Sequence, residues 1–128
     1  MAAVPADAAS ASAKKWPGCA KRGSHTIDSN RQARVYSVRN RDGGRDLYGC
    51  LRADGRPQLL AHGFDDGYTA SNSYSRVRLS GRFVTWQETT TDASCKADCP
   101  PGYDGTTSAR YTRDLKRRTT VQLSGPAA

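Results

Sequence analysis

The chain has 128 residues, which suits one domain with a thin core. Apolar residues make up 36%, with two Phe, two Trp and one Met, and no run is long and apolar enough to span a membrane. The net charge of +8 raises a polyanionic partner, nucleic acid included, yet fifteen Arg against five Lys and eleven Asp against one Glu is the bias that GC-rich codons impose.

Residues 1–17 are rich in Ala and Ser and lack the charged n-region and apolar h-region of a complete export signal. Ala9-Ser10-Ala11 and Ala11-Ser12-Ala13 carry the small-x-small pattern of an export cleavage site. The segment therefore reads either as a signal remnant, with a secreted or periplasmic location, or as a disordered tail. The domain is taken as residues 18–128.

Twelve Gly, six Pro and many Asp, Asn and Ser punctuate short runs rich in Val, Tyr and Thr, a pattern that predicts an all-β fold. A first unit, residues 25–62, divides into strands at 25–28, 32–39, 45–52 and 57–61, broken at Ser29-Asn30, 40–44 and Asp54-Gly55-Arg56. Residues 62–72 are too rich in Gly and Asp for a core element and form the connection. A second unit, residues 73–124, has strands at 73–79, 82–88, 108–114 and 119–123, with tight turns at Ser80-Gly81 and Lys116-Arg117-Arg118. No window has helical periodicity.

The units match in sequence. Arg34-Val35-Tyr36-Ser37-Val38 aligns with Arg82-Phe83-Val84-Thr85-Trp86, and Tyr48-Gly49-Cys50-Leu51-Arg52 with Tyr111-Thr112-Arg113-Asp114-Leu115. The expected core comes from Val35, Val38, Leu47, Leu51, Leu59, Val77, Leu79, Phe83, Val84, Trp86, Leu115, Val121 and Leu123. Between its middle strands the second unit carries an extra segment that holds Cys95 and Cys99.

Four Cys in a small basic β chain favour disulfides over metal. Cys95 and Cys99 close a small loop before Pro100-Pro101-Gly102, which leaves Cys19 to pair with Cys50; two other pairings stay open. The larger loop is worth roughly 3 to 4 kcal/mol in the chain-entropy model. A zinc site needs two short-spaced ligand pairs, and neither Cys19 nor Cys50 has a second ligand nearby, so no metal is expected. Asp65-Asp66-Gly67 and Asp42-Gly43-Gly44-Arg45-Asp46 lack the spaced ligand ladder of a calcium loop and read as turn chemistry. No Gly-rich run opens a helix, and no cofactor is expected.

The pattern Gly81-Arg82-Phe83-Val84-Thr85-Trp86, followed by Tyr111-Thr112-Arg113-Asp114-Leu115, resembles a blade of the β-propeller repeats in secreted bacterial proteins of the TolB-like and WD40-like kind. The similarity covers residues 25–124, and the units are near propeller-repeat length. The Gly-His and Trp-Asp signatures of the true WD repeat are missing. The resemblance implies two four-stranded antiparallel, blade-like sheets. A closed propeller takes about four blades or more, so two units form either part of a longer propeller, half of a homo-oligomeric ring, or a two-sheet sandwich. The sandwich gives the apolar face of each sheet a partner.

The expected role is a non-enzymatic extracellular binding or scaffolding domain for protein or carbohydrate. Tyr68 and Tyr103, aromatics flanked by Gly and Asp in loops, are the candidate ligand contacts. The alternative is a small basic secreted nuclease-like hydrolase using His25 or His62 with Glu88, since the chain has no other His or Glu.

Overall fold

The structure, a computed structural model, describes residues 19–94, 98–102 and 105–125. Among these residues the strands are β1 (Ser24–Ser29), β2 (Ala33–Arg39), β3 (Arg45–Leu51), β4 (Pro57–His62), β5 (Phe64–Asp65), β6 (Ala70–Ser80), β7 (Phe83–Asp92), β8 (Thr106–Asp114) and β9 (Thr119–Ser124). They form two antiparallel sheets, ordered β1-β2-β3-β4 and β5-β6-β7-β8-β9, and neither closes on itself. The second sheet has five strands rather than four. The extra strand comes from the expected connection, where Phe64 and Asp65 pair with Asn72 and Ser71. The expected boundary at residue 17 lies outside the described residues.

One apolar core joins the sheets. Ala33, Val35, Leu47 and Ala61 from the first sheet are buried against Val84, Trp86 and Leu115, with Tyr74, Val77 and Leu79 packed alongside. Burying a large apolar side chain stabilises by about 1.5–3 kcal/mol, so these few residues carry much of the fold. Leu115 reaches the first sheet because Gly49 has no side chain: a Cβ there would lie 2.8 Å from Leu115 Cδ2. The buried Gln58 amide ties the sheets with both its ends, since Nε2 donates to Leu115 O (2.8 Å) and Oε1 accepts from Arg113 Nε (2.8 Å). Bulges in β1 and β6 lie where these strands meet, and there Asp28 Oδ2 accepts from Leu79 N at 3.0 Å.

The outer face of the first sheet holds a smaller cluster of Cys19, Tyr36 and Cys50, with Val38 and Tyr48 beside it. Cys19 is disulfide-bonded to Cys50, and the Arg34 guanidinium lies 4.5 Å over the Tyr36 ring while its Nη1 donates to Cys19 O (3.1 Å). Such a bridge fits an oxidising compartment. Cys99 is also disulfide-bonded, and Cys95, the partner expected for it, lies outside the described residues.

Several expected core residues are outside. Leu59, Phe83, Val121 and Leu123 are 54%, 44%, 57% and 53% exposed; Leu59, Val121 and Leu123 lie on the edge strands β4 and β9, whereas Phe83 lies on β7 with its ring on the outer face, 5.2 Å under the Arg82 guanidinium. The aligned repeat is also out of facing register. Val35 lies in the intersheet core whereas its match Phe83 faces solvent, and Tyr36 packs on the outer face whereas its match Val84 is in the core. A shift of one residue reverses every side chain in a strand, so Val35 corresponds to Val84 in facing. Among the described residues no helix is long and apolar enough to cross a membrane.

Candidate functional site

The loops β2–β3, β4–β5, β5–β6 and β7–β8 fall at one end of the sheets, and His62 sits at their junction as the last residue of β4. Its Nδ1 is 2.5 Å from Asp46 Oδ1 and its Nε2 is 3.0 Å from Asp42 Oδ2. Both ring nitrogens can donate only in the imidazolium, so two facing carboxylates favour the charged form. The hydrogen bond to Asp46 is the largest cause of a pKa raised above the usual 6.5; exposure to the Asp42 and Asp46 charges adds to it, and partial desolvation opposes it. The ring also stacks on Phe64 at 5.9 Å between centroids.

Asn40 completes this clasp. Its Nδ2 donates to Asp46 Oδ1 (2.8 Å) and Gly63 O (2.7 Å), and its Oδ1 accepts from Asp42 N (2.8 Å) and Gly44 N (3.2 Å). The loop can press so closely on the start of β5 only with glycine. A Cβ on Gly44 would lie 2.5 Å from Gly63 O, and Gly43 has φ +81° with Asp65 O 2.8 Å from its missing Cβ.

Beside the clasp is a cleft of about 570 Å³ lined by Ser37, Gly43, Gly44, Arg45, Gly63, Phe64, Asp65, Ser71, Asn72, Ser73 and Tyr74. Arg45 lines it and is fixed by Ser37, with Nε donating to Oγ (2.8 Å) and Nη2 to the carbonyl oxygen (3.2 Å). Tyr74 is half-buried at its side. Burial raises the phenol pKa, while the bond to Ser37 and the Arg45 charge oppose the rise. Hydroxyls, an amide, a guanidinium and aromatic faces thus converge on one concave surface.

Tyr68 stands out at the same end, 93% exposed. The loop beneath it is fixed by two aspartates. Asp65 Oδ1 accepts from Gly67 N (2.8 Å), and Asp66 Oδ1 accepts from Tyr68 N (2.8 Å) and Ala70 N (3.1 Å). The bond from Tyr68 N, then that from Ala70 N, holds the Asp66 carboxyl below its ordinary pKa. Ala93 N donates to Thr69 O (3.0 Å) and anchors the loop to the end of β7. Tyr103, the other tyrosine expected to contact ligand, lies outside the described residues.

The residues of the hydrolytic alternative fall in different settings. Both Glu88 oxygens are engaged, Oε2 by Trp86 Nε1 (2.9 Å) and Oε1 by Asn72 Nδ2 (3.2 Å). Asn72 Nδ2 also donates to His62 O (2.8 Å), so Glu88 and His62 are neighbours through Asn72, but the His62 ring is turned to Asp42 and Asp46. His25 lies in β1, in register with Ser37. Among the described residues no group of three or more His, Cys, Asp and Glu is arranged to hold a metal ion, and at His62 the two carboxylates sit on opposite nitrogens instead of converging on one point. Sequence reasoning singled out His62 and Tyr68 and read Asp42 and Asp46 only as turn chemistry, and it missed Asn40 and Asn72; all four of these partners take roles that depend on strand adjacency. The Asn and Asp clustering at residues 40–46 was the available signal.

No protein-family model, curated protein or solved structure matches the chain.

Proposed function

We propose that the chain is a non-enzymatic, secreted or periplasmic binding or scaffolding domain, built from two blade-like sheets of the kind seen in TolB-like and WD40-like repeats, that recognises a protein or carbohydrate ligand through the loop end around Tyr68. The observation that carries this reading is an almost fully exposed aromatic on a loop whose backbone is already fixed by Asp65 and Asp66. A rigid anchor loses little conformational entropy on binding and brings a large amphipathic surface to the partner. The neighbouring cleft supplies the few convergent polar groups that orient a ligand, from Arg45, Asn72 and the serines. The Cys19–Cys50 bridge supports an extracellular setting.

The test is an array of extracellular glycans and proteins probed with the full chain and with Tyr68→Ala. The expected result is a defined class of ligand retained by the wild type and weakened at least about tenfold in the variant, as for a central aromatic anchor. Equal retention by both proteins would overturn the loop-end reading.

A further inference from the structure

We propose that the opposite end of the molecule is a docking surface for an acidic polysaccharide, carboxylated or sulfated. Arg is scattered along the sequence, but the antiparallel topology collects it. The turns β1–β2, β3–β4, β6–β7 and β8–β9 share that end and are tied together: Asn30 Nδ2 donates to Gly81 O (2.9 Å), Arg52 N to Gln32 O (2.9 Å) and Leu115 N to Arg82 O (3.0 Å). Among them lies a groove of about 710 Å³ lined by four cations, Arg31, Arg52, Arg82 and Lys116, against one carboxylate, Asp54, with Gln32 as a neutral polar group and Leu51 and Ala53 as apolar lining.

The cations divide by role. Arg82 holds the β8–β9 turn through Asp114, with Nη2 donating to Oδ2 at 3.1 Å; Nε is 3.0 Å from Oδ1 but poorly aligned with it. Arg52 Nε donates to Asn30 O at 2.9 Å. Arg31 and Lys116 are exposed and, among the described residues, their side chains make no hydrogen bond or ion pair. Arg117 and Arg118 flank the groove, each 3.9 Å from a carboxylate, Asp114 and Asp54 respectively. At that distance an exposed pair neutralises little. The far end of the sheets carries Asp42, Asp46, Asp65, Asp66 and Asp92 beside Arg39, Arg41 and Arg45, so among the described residues acidic groups outnumber basic ones there and the groove end is the more positive of the two.

The chemistry selects the polymer. Guanidinium forks match the oxygens of carboxylates and of tetrahedral oxyanions, phosphate included, so the choice of polymer rests on the rest of the lining. Among the described residues the groove lining contains no aromatic ring on which a base could stack, and Leu51 and Ala53 suit the C–H face of a sugar ring. The disulfide points to an oxidising compartment. This surface is separate from the loop end and does not depend on what binds there.

The test titrates the full chain with a heparin dodecasaccharide, polygalacturonate, neutral dextran and a double-stranded DNA oligonucleotide over a series of NaCl concentrations. The wild type is expected to bind the two acidic glycans, with affinity falling steeply with salt, and to ignore dextran. Arg31→Glu/Lys116→Glu is expected to weaken binding at least about tenfold and to flatten the salt slope by about two contacts. Arg39→Glu/Arg41→Glu, the same charge change at the other end, is expected to stay within about twofold. Equal losses in both variants, or none in the first, would overturn the proposal. DNA bound as tightly as the glycans, with the same dependence on Arg31 and Lys116, would overturn the polysaccharide as partner. Unchanged melting of both variants separates these outcomes from misfolding.

Discussion

Replacing Cys19 and Cys50 together by Ala removes a cross-link between residues 31 apart in sequence. In the chain-entropy model a closed loop of this size restricts the unfolded chain enough to be worth roughly 3 to 4 kcal/mol. Ala avoids placing unpaired hydroxyls where both sulfurs are buried. The native intersheet core is distant from this change, because the bridge packs with Tyr36 on the outer face of the first sheet. The loss should therefore appear as a uniform drop in stability, with the melting temperature lower by roughly 12–18 °C for a domain of about 100 residues. Urea unfolding followed by far-UV circular dichroism measures it, and the slope m should rise as the released unfolded chain exposes more surface. A loss below about 1 kcal/mol, or a peptide map of the wild type that pairs Cys19 with another cysteine, would refute the reasoning.

Trp86→Ala should destabilise by about 3–5 kcal/mol, since Trp86 is buried between the sheets and its Nε1 holds Glu88; urea titration checks this, and a cost under about 1 kcal/mol would contradict the shared core. His62 has its folded pKa raised by Asp46 and Asp42, so its contribution to stability is fully present below the unfolded value near 6.5 and is lost as pH rises through the folded value. Stability should thus fall from pH 6 upwards more steeply in the wild type than in His62→Gln, and an NMR titration placing His62 below 6.5 would contradict the clasp. Incubation with RNA should give no more product from the wild type than from His25→Ala/His62→Ala/Glu88→Gln; hydrolysis that disappears in the triple variant would restore the nuclease reading.

The strands were legible because Gly, Asp and Asn mark their ends, and the expected strand at 82–88 begins one residue before β7 and ends inside it, while that at 45–52 nearly coincides with β3. Facing was less legible. Tyr36 and Val84 occupy matching places in the sequence repeat, yet one packs under the Cys19–Cys50 bridge and the other between the sheets, a distinction set by one residue of register. Edge strands misled in the same way: Val121 and Leu123 alternate like core residues, but β9 is a sheet edge and both side chains are more than half exposed. At the loop end, Tyr68 was visible as an aromatic among turn formers, whereas the partners of His62 were not. Asp42 and Asp46 come from the β2–β3 loop and β3, and only antiparallel pairing of β3 with β4 brings them to the ring, with Asp46 opposite His62 in register. The basic groove was hidden for a related reason, because within each sheet the up-and-down strands deliver every second turn to the same end.

The most direct test of the account is calorimetric titration of the full chain, wild type and Tyr68→Ala, with the ligand retained from the extracellular array. The account predicts that the variant folds with wild-type melting behaviour and binds about 10- to 30-fold more weakly, the loss of one aromatic anchor of about 2 kcal/mol. Undiminished affinity in a folded Tyr68→Ala protein would contradict it.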